Sequence, residues 1–190
     1  MIDPSAAKRI RLLGLDVDGV MTDNAVYLGM IAGARVEFKR FDIQDGLAIG
    51  IVRKMGILVA WVSGRESEAT TLRATELRID ELIQDDGARK VPAMERMLER
   101  RGIGWDEVAF VGDDLADVPV LRRVGLPIAV GNAVDEVKRL VSYVTAARGG
   151  AGAVREAIEV FLKARGVWDD GVSGYLRERD DVAAGHRDPA

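Results

Sequence analysis

The chain has 190 residues, of which 48% are hydrophobic and 31% charged, a length that allows one domain with a real apolar core but hardly two. Its formal net charge of −4 argues against nucleic acid as a partner, because nucleic-acid sites need a basic patch or stripe. It has no cysteine and a single histidine, His186 near the C-terminus, which excludes disulfides, thiolate sites, histidine triads and multi-histidine metal centres.

No targeting or membrane-spanning segment is apparent in the sequence. The longest apolar runs fall well short of the ~18 residues that a membrane helix requires. The charged stretch 1–11 lacks the apolar core of a signal peptide. We therefore expect a cytoplasmic protein with no membrane partner.

Short β-branched runs alternate with longer amphipathic stretches along the whole chain. In the first half the pattern predicts a strand at 10–17, a β-hairpin insertion at about 24–42, a helix at 45–55, a strand at 57–62 and a helix at 68–77 capped by Ser67. In the second half it predicts strands at 81–83, 108–111, 127–130 and 142–145, and helices near 94–98, at 118–124, at 135–140 and at 154–162.

This alternation is typical of βαβ units. It predicts an α/β fold, a doubly wound, Rossmann-like parallel sheet with helices on both faces, in a single domain at 1–168. The hairpin insertion after the first strand is the one departure from the alternation. Residues 169–190 are polar and punctuated by glycine, and we expect them to form a mobile tail.

Polar side chains follow the carboxyl ends of the predicted strands, which is where ligands bind in open α/β sheets. They are Asp16 and Asp18, Ser63 and Gly64, Lys90, and Asp113 and Asp114. Taken singly, each has an ordinary explanation: a turn, a solvated lysine, or a loop with a helix cap at Asp117. Their arrival at one edge of the sheet is the stronger signal.

Carboxylates crowded at the end of an apolar strand need a cation, and a few hard oxygen ligands suit Mg²⁺. Lys90 and the hydroxyl of Ser63 would add positive charge and a hydrogen-bond donor. An anion beside Mg²⁺ and lysine is most simply a phosphoryl group, and a carboxylate can itself be the nucleophile that accepts it.

The motifs resemble those of the haloacid dehalogenase superfamily of phosphatases, and more narrowly its 3-deoxy-D-manno-octulosonate 8-phosphate phosphatase branch. The matching segments are LDVDGVMTD at 15–23, FDIQDG at 41–46, SGR at 63–65, AFVGDDLAD at 109–117 and RGGAGAVRE at 148–156. The resemblance extends from about residue 11 to about residue 163.

The resemblance implies a role for each matching residue. Asp16 would attack phosphorus, and Asp18 would protonate the leaving sugar alkoxide and then activate the hydrolytic water. As an acid at neutral pH, Asp18 would need neighbouring anions to retain its proton. Mg²⁺ would be bound by the carboxylates of Asp16 and Asp113, by the main-chain carbonyl of Asp18, and through waters oriented by Asp114. The phosphoryl oxygens would be bound by the remaining residues of the motifs, Ser63, Gly64 and Lys90.

The branch lacks a separate cap domain, and its hairpin joins those of other subunits in a tetramer, so a homotetramer is expected. Arg65 and Arg73 are candidates to bind the substrate carboxylate. The loop before Lys90 seems one residue longer than is usual, which leaves Arg89 as an alternative. The Gly-rich segment 148–152 fits a loop near the site or a packing turn.

Two other functions remain open. One is a phosphatase of a nine-carbon N-acylneuraminate or deaminoneuraminate 9-phosphate, although Arg65 favours the eight-carbon sugar acid because a carboxylate is associated with this position in the nine-carbon branch. The other is a catalytically silent binding subunit, against which the complete set of Asp16, Asp18, Lys90 and Asp113 argues.

Overall fold

A computed structural model describes residues 2–85 and 87–185, so that His186 lies outside the described residues. The strands are β1 Leu12–Leu15, β2 Tyr27–Ile31, β3 Ala34–Phe38, β4 Leu58–Ser63, β5 Glu81–Gln84, β6 Val108–Gly112, β7 Leu126–Ala129 and β8 Tyr143–Val144. The helices are α1 Pro4–Arg9, α2 Ile43–Lys54, α3 Glu68–Glu76, α4 Lys90–Arg101, α5 Val118–Leu121, α6 Asp135–Lys138, α7 Ala153–Arg165 and α8 Trp168–Gly185.

A six-stranded parallel sheet in the order β5-β4-β1-β6-β7-β8 forms the centre of the fold. Every residue of β1 and β6 is buried, in keeping with the continuous apolar runs of strands covered on both faces. The predicted doubly wound sheet is therefore confirmed. The chain builds one half of the sheet from β1 towards β5, then returns to build the other half from β6, so the switch in strand order lies between β1 and β6.

The register of the central strands brings their carboxyl ends together. Leu15, the last residue of β1, is level with Trp61 of β4 and with Val111 of β6. Polar residues that follow β1 and β6 consequently lie side by side at the switch point, where open α/β sheets bind their ligands.

Helices cover the sheet on both faces. In one layer α7 packs against α1 and α2, while α8 packs against α2 and α7. In the other, α4 packs against α5 and β4. None of the helices that the structure describes is long and apolar enough to cross a membrane.

The predicted hairpin is confirmed as an antiparallel pair of β2 and β3, and no separate cap domain accompanies it. Ala32 and Gly33 form its two-residue turn with φ of 49° and 84°, the positive angles of a type I′ hairpin turn. Large apolar side chains on the hairpin are exposed, namely Val26, Tyr27, Leu28, Met30, Ile31 and Phe38.

The expectation of a mobile tail from residue 169 is wrong, because the chain is helical from Trp168 to Gly185. Glycine disfavours helix, and Gly171 and Gly174 concealed this one in the sequence. At Gly171 the absent side chain lets the helix approach α2, since a Cβ there would lie 2.8 Å from Cγ2 of Ile51. The guanidinium of Arg155 lies 4.9 Å from the Trp168 ring centroid and helps to hold the start of α8.

Candidate active site

The turn after β1 presents Asp16 at the end of the buried strand. Its main-chain N–H donates to the carbonyl of Val111 at 3.0 Å, so Asp16 extends the pairing of β1 with β6. The chain then turns back over residues 17–21. The hydroxyl of Thr22 closes this turn by accepting from the N–H of Gly19 and donating to the carbonyl of Val17, at 3.3 Å each.

Lys90, the first residue of α4, extends its side chain into the base of the site and is 4% exposed. Its ammonium nitrogen lies 2.5 Å from Oδ1 of Asp16 and 2.6 Å from Oδ1 of Asp117. Burial acts to lower the pKa of Lys90, but the two carboxylates outweigh it and raise the pKa above its ordinary value. The alternative residue, Arg89, is exposed, so the structure brings Lys90 rather than Arg89 to Asp16.

Asp16, Asp113 and Asp117 form a buried carboxylate cluster, with one oxygen of each within 4.8 Å of the others. Burial first, and then Asp117, raises the pKa of Asp16 to about 6 in spite of Lys90. Burial, Asp16 and Asp117 raise the pKa of Asp113 to about 8. Both shifts indicate more negative charge than a single lysine balances.

These residues fit a divalent cation. Oδ1 of Asp113 is buried and accepts no hydrogen bond from the described residues, an arrangement that is costly for a polar atom without a ligand. Carboxylate and carbonyl oxygens are also the ligands that Mg²⁺ prefers. Asp16 and Asp113, with the main-chain carbonyl of Asp18 nearby in sequence, are the residues that would bind it.

Gly19 makes room for this cluster. Its φ of 95° lies in the left-handed region, and a Cβ at this position would overlap the carboxylate of Asp113. The glycine of the DVDG motif is therefore required both by the turn and by the carboxylate from the neighbouring strand.

Asp114 lies apart from the three carboxylates. Its side chain is exposed and caps the short helical turn 115–117 by accepting from the N–H of Leu115 at 2.7 Å. Its implied part in metal binding, through water, stays a prediction.

Asp117 is the site residue that the sequence reasoning missed, because there it was considered only as a helix cap. It is buried, and Oδ2 accepts from the main-chain N–H of Asp113 and Asp114 while Oδ1 binds Lys90. Its spacing after the strand end was the available signal, since a turn at 113–116 returns residue 117 towards the end of β6.

Ser63 and Gly64 lie next to the Lys90 side chain. The Ser63 hydroxyl is buried, donates to the carbonyl of Arg65 at 2.9 Å and accepts from its N–H at 3.1 Å, so it shapes the turn after β4. A Cβ on residue 64 would lie 3.0 Å from the side chain of Ala88 and 4.0 Å from Cε of Lys90. The loops after β4 and β5 therefore meet at the site, as predicted.

Asp18 has different neighbours from those expected. The sequence reasoning expected anions around it, but its carboxylate accepts from the ammonium of Lys39 at 2.7 and 3.0 Å and lies 3.8 Å from Nη1 of Arg65. The expectation was wrong because the hairpin turns back over the site and brings its own cation. Nothing in the alternation of strands and helices indicated that contact.

Arg65 and Arg73 line one cleft of about 820 Å³ between the hairpin and α3. Arg65 is 44% exposed and donates to Glu37 on β3 at 3.0 Å. Arg73 donates to Glu76 at 2.7 Å, and its guanidinium packs against Gly46 of α2. The structure thus brings both arginines to the same cleft, each with an acidic partner.

The Gly-rich segment at 148–152 packs on the turn that follows Asp16. The N–H of Gly149 donates to Asn132 at 2.6 Å, and the amide of Asn132 donates to the carbonyl of Gly19 at 3.1 Å. The N–H of Gly150 donates to the carbonyl of Val20 at 3.1 Å. The segment therefore supports the turn that carries Asp16 and Asp18.

Comparison with known proteins gives consistent matches across most of the chain. Residues 58–158 match the family model of the haloacid dehalogenase-like hydrolases. The 3-deoxy-D-manno-octulosonate 8-phosphate phosphatase of Escherichia coli K12 is 40% identical over 164 residues, which cover 86% of this chain and 85% of the relative. The enzyme of the same name from Yersinia pestis is 38% identical over 159 residues, covering 84% and 83%.

Solved structures agree with the sequence matches. The 3-deoxy-D-manno-octulosonate 8-phosphate phosphatase of Moraxella catarrhalis, in complex with magnesium, phosphate and KDO, superposes with a TM-score of 0.83 at 34% identity, covering 90% of this chain and 97% of that one. The cobalt-bound phosphatase of Haemophilus influenzae superposes with a TM-score of 0.80 at 32% identity, covering 90% and 99%.

Proposed function

The chain belongs to the haloacid dehalogenase-like hydrolases, and we propose that it is a Mg²⁺-dependent phosphatase of 3-deoxy-D-manno-octulosonate 8-phosphate. The observation that carries this proposal is the contact of Lys90 with Asp16 beside the carboxylate of Asp113. A nucleophile, a cation and a metal-binding carboxylate from separate loops meet there, at the switch point of the sheet.

Asp16 is the nucleophile. Its carboxylate oxygen forms a bond to phosphorus while the bond from phosphorus to the sugar oxygen breaks, which leaves an aspartyl-phosphate. Asp18 gives its proton to the departing sugar oxygen. In the second step Asp18 takes a proton from the water that attacks phosphorus, so that phosphate is released and Asp16 is regenerated.

The charge on the phosphoryl group is balanced by groups that the fold has already oriented. Lys90, the hydroxyl of Ser63 and the N–H of Gly64 lie around the end of Asp16 and would bind the phosphoryl oxygens. Bound Mg²⁺ supplies positive charge that stabilises the transferring phosphoryl group. The aspartates that would bind it are Asp16 and Asp113, with the carbonyl of Asp18.

The cleft beside Asp18 supports a sugar acid as substrate. Arg65 and Arg73 line it, and a guanidinium binds a carboxylate with paired hydrogen bonds. The relatives are named for the eight-carbon sugar phosphate, and the Moraxella catarrhalis structure holds KDO with magnesium and phosphate. A phosphorylated metabolite as substrate also supports the cytoplasmic location that the sequence predicts.

The hairpin supports a homotetramer. Its large apolar side chains are exposed, with Met30 68% and Ile31 58% accessible at its tip. Exposed apolar side chains grouped on one element are typical of a protein interface. Hairpins from four copies packed together would cover them and close the cleft beside Asp18.

The test of the proposed function is phosphate release from matched sugar-acid phosphates. We expect turnover of 3-deoxy-D-manno-octulosonate 8-phosphate with Mg²⁺, loss of turnover with EDTA, and weaker turnover of N-acylneuraminate 9-phosphate. A clear preference for the nine-carbon ester would assign the chain to that substrate instead. Equal phosphate release by the unaltered protein, Asp16→Asn and Asp18→Asn would mean a contaminant, and the chain would be a silent binding subunit.

A further inference from the structure

The side chain of Lys39, the residue that follows β3, is almost completely buried. It is only 1% exposed, whereas Asp18, its partner, is 24% exposed. The ammonium nitrogen donates to both carboxylate oxygens of Asp18, at 2.7 and 3.0 Å. The hairpin thus brings a buried cation to the residue proposed to be the general acid.

This ion pair differs from an ordinary surface pair. A solvated pair of long side chains contributes little, because water competes for both charges. A buried ammonium, in contrast, is stable only when a partner compensates its lost hydration. With both oxygens accepting from one donor, the rotation of the Asp18 carboxylate is restricted as well.

The direction of the Lys39 side chain follows from the strand. Successive residues of a strand point to opposite sides, so Glu37 and Lys39 share one side and Phe38 takes the other. Phe38 is 54% exposed. Glu37 donates no proton but accepts from Arg65 at 3.0 Å, and Arg65 in turn lies 3.8 Å from Asp18. One side of the hairpin therefore contacts both Asp18 and Arg65.

We propose that Lys39 is a positioning residue for Asp18, which holds its carboxylate towards the leaving oxygen and stabilises the charge that Asp18 acquires. This inference rests on the proposed phosphatase function. During phosphoryl transfer the bond from Asp16 to phosphorus forms and the bond from phosphorus to the leaving oxygen breaks. The proton of Asp18 moves to that oxygen, and the carboxylate so formed is already hydrogen-bonded to the ammonium of Lys39.

A series of aryl phosphates tests this role without any contact to a sugar acid. A poor leaving group such as phenolate needs a proton donor, whereas p-nitrophenolate departs with little help. For Lys39→Met we expect kcat/KM with Mg²⁺ to fall about 10-fold more for phenyl phosphate than for p-nitrophenyl phosphate, a part of the ~10²–10⁴-fold effect of general acid catalysis. In Asp18→Asn protein, the same change at Lys39 should leave the ratio between the two esters unaltered.

Arg40 provides the matched control, because it is the adjacent cation and donates to the carbonyl of Gly150 rather than to Asp18. Arg40→Met should change both esters by the same factor. Should Lys39→Met not fold, Lys39→Gln replaces it as the second variant. An equal fall for both esters, or none, in the Lys39 variant would overturn the positioning role. Failure of the unaltered protein to hydrolyse any ester would instead refute the phosphatase function itself.

Discussion

The ammonium of Lys90 lies 2.5 Å from the carboxylate of Asp16, and its other contact, with Asp117, completes a buried group of one cation and two anions. These residues come from α4, from the turn after β1 and from the turn after β6. The contact therefore links the stability of the fold to the chemistry of the site.

Replacing Lys90 with methionine should damage both properties. Two buried carboxylates would lose their cation, and breaking such a group typically costs about 3–5 kcal/mol. Loss of a charged group that stabilises the transferring phosphoryl group should lower kcat by about 10²–10³-fold. Urea unfolding and phosphate release would measure the two effects.

Arg89→Met is the control for this variant, since Arg89 is exposed and precedes Lys90 directly. Its effect on the free energy of unfolding should stay within about 0.5 kcal/mol. If Arg89→Met abolished activity while Lys90→Met remained active, the assignment of these two residues would be reversed.

Gly19→Ala should weaken the metal site. The new Cβ would overlap the carboxylate of Asp113 and would also hold alanine at a φ of 95°, a conformation that costs about 1–2 kcal/mol. We expect at least a 10-fold rise, in rough terms, in the Mg²⁺ concentration needed for half-maximal activity, because a shift of about 1.4 kcal/mol is already tenfold.

Gly166→Ala separates strain from overlap. Gly166 has a similar φ of 81°, but a Cβ there would meet open space at the end of α7. This variant should lose stability and keep the Mg²⁺ dependence of the unaltered protein. The same Mg²⁺ dependence in both alanine variants would contradict the proposed close approach of Gly19 to Asp113.

Asp45 joins α2 to the start of α7 and gives a prediction for pH. Its buried carboxylate accepts from the main-chain N–H of Arg155 at 2.7 Å. Burial raises the pKa of Asp45 from 3.8 to about 6, although that hydrogen bond acts to lower it. Because the folded state binds this proton more tightly than the unfolded chain, its stabilising contribution is present below about pH 4 and is lost as the pH rises through about 6.

Asp45→Asn should remove this pH dependence, since the amide oxygen can still accept from Arg155 and carries no charge. Relative to the unaltered protein, the variant should gain about 1–3 kcal/mol in the free energy of unfolding between pH 4 and pH 8. Urea titrations at both pH values, in EDTA, would measure it. A constant difference between the two proteins would show that Asp45 does not ionise in this range.

Met30→Asp tests the proposed interface of the hairpin. We expect a mass of four chains for the unaltered protein by light scattering and a smaller species for the variant, because a charge at the tip cannot be buried in an apolar contact. Leu140→Asp, an exposed apolar position away from the hairpin, should leave the mass unchanged. A monomeric mass for the unaltered protein would reject the tetramer.

The sequence predicted the parts of the fold that depend on local pattern. The alternation of apolar strands with amphipathic helices was sufficient for the doubly wound sheet, and Gly33 marked the hairpin turn. The helix that begins at Trp168 was missed, because its glycines disfavour helix locally and only the contact of Gly171 with α2 accounts for them.

The same division holds for the site. Asp16, Lys90 and Asp113 could be placed together because the ends of parallel strands share an edge. The partners of Asp18 and Asp117 could not, since they depend on how the hairpin folds back and on where the turn after β6 directs a side chain. Such contacts join residues far apart in the chain, and no local pattern encodes them.

Rapid acid quenching during turnover, followed by mass spectrometry of the proteolysed chain, tests most directly whether Asp16 is the nucleophile. With Mg²⁺ and 3-deoxy-D-manno-octulosonate 8-phosphate we expect a phosphoryl group on the peptide that contains Asp16, formed before free phosphate appears and absent from Asp16→Asn. Full turnover with that peptide unmodified at every quench time, together with an active Asp16→Asn, would contradict an aspartyl-phosphate at this residue.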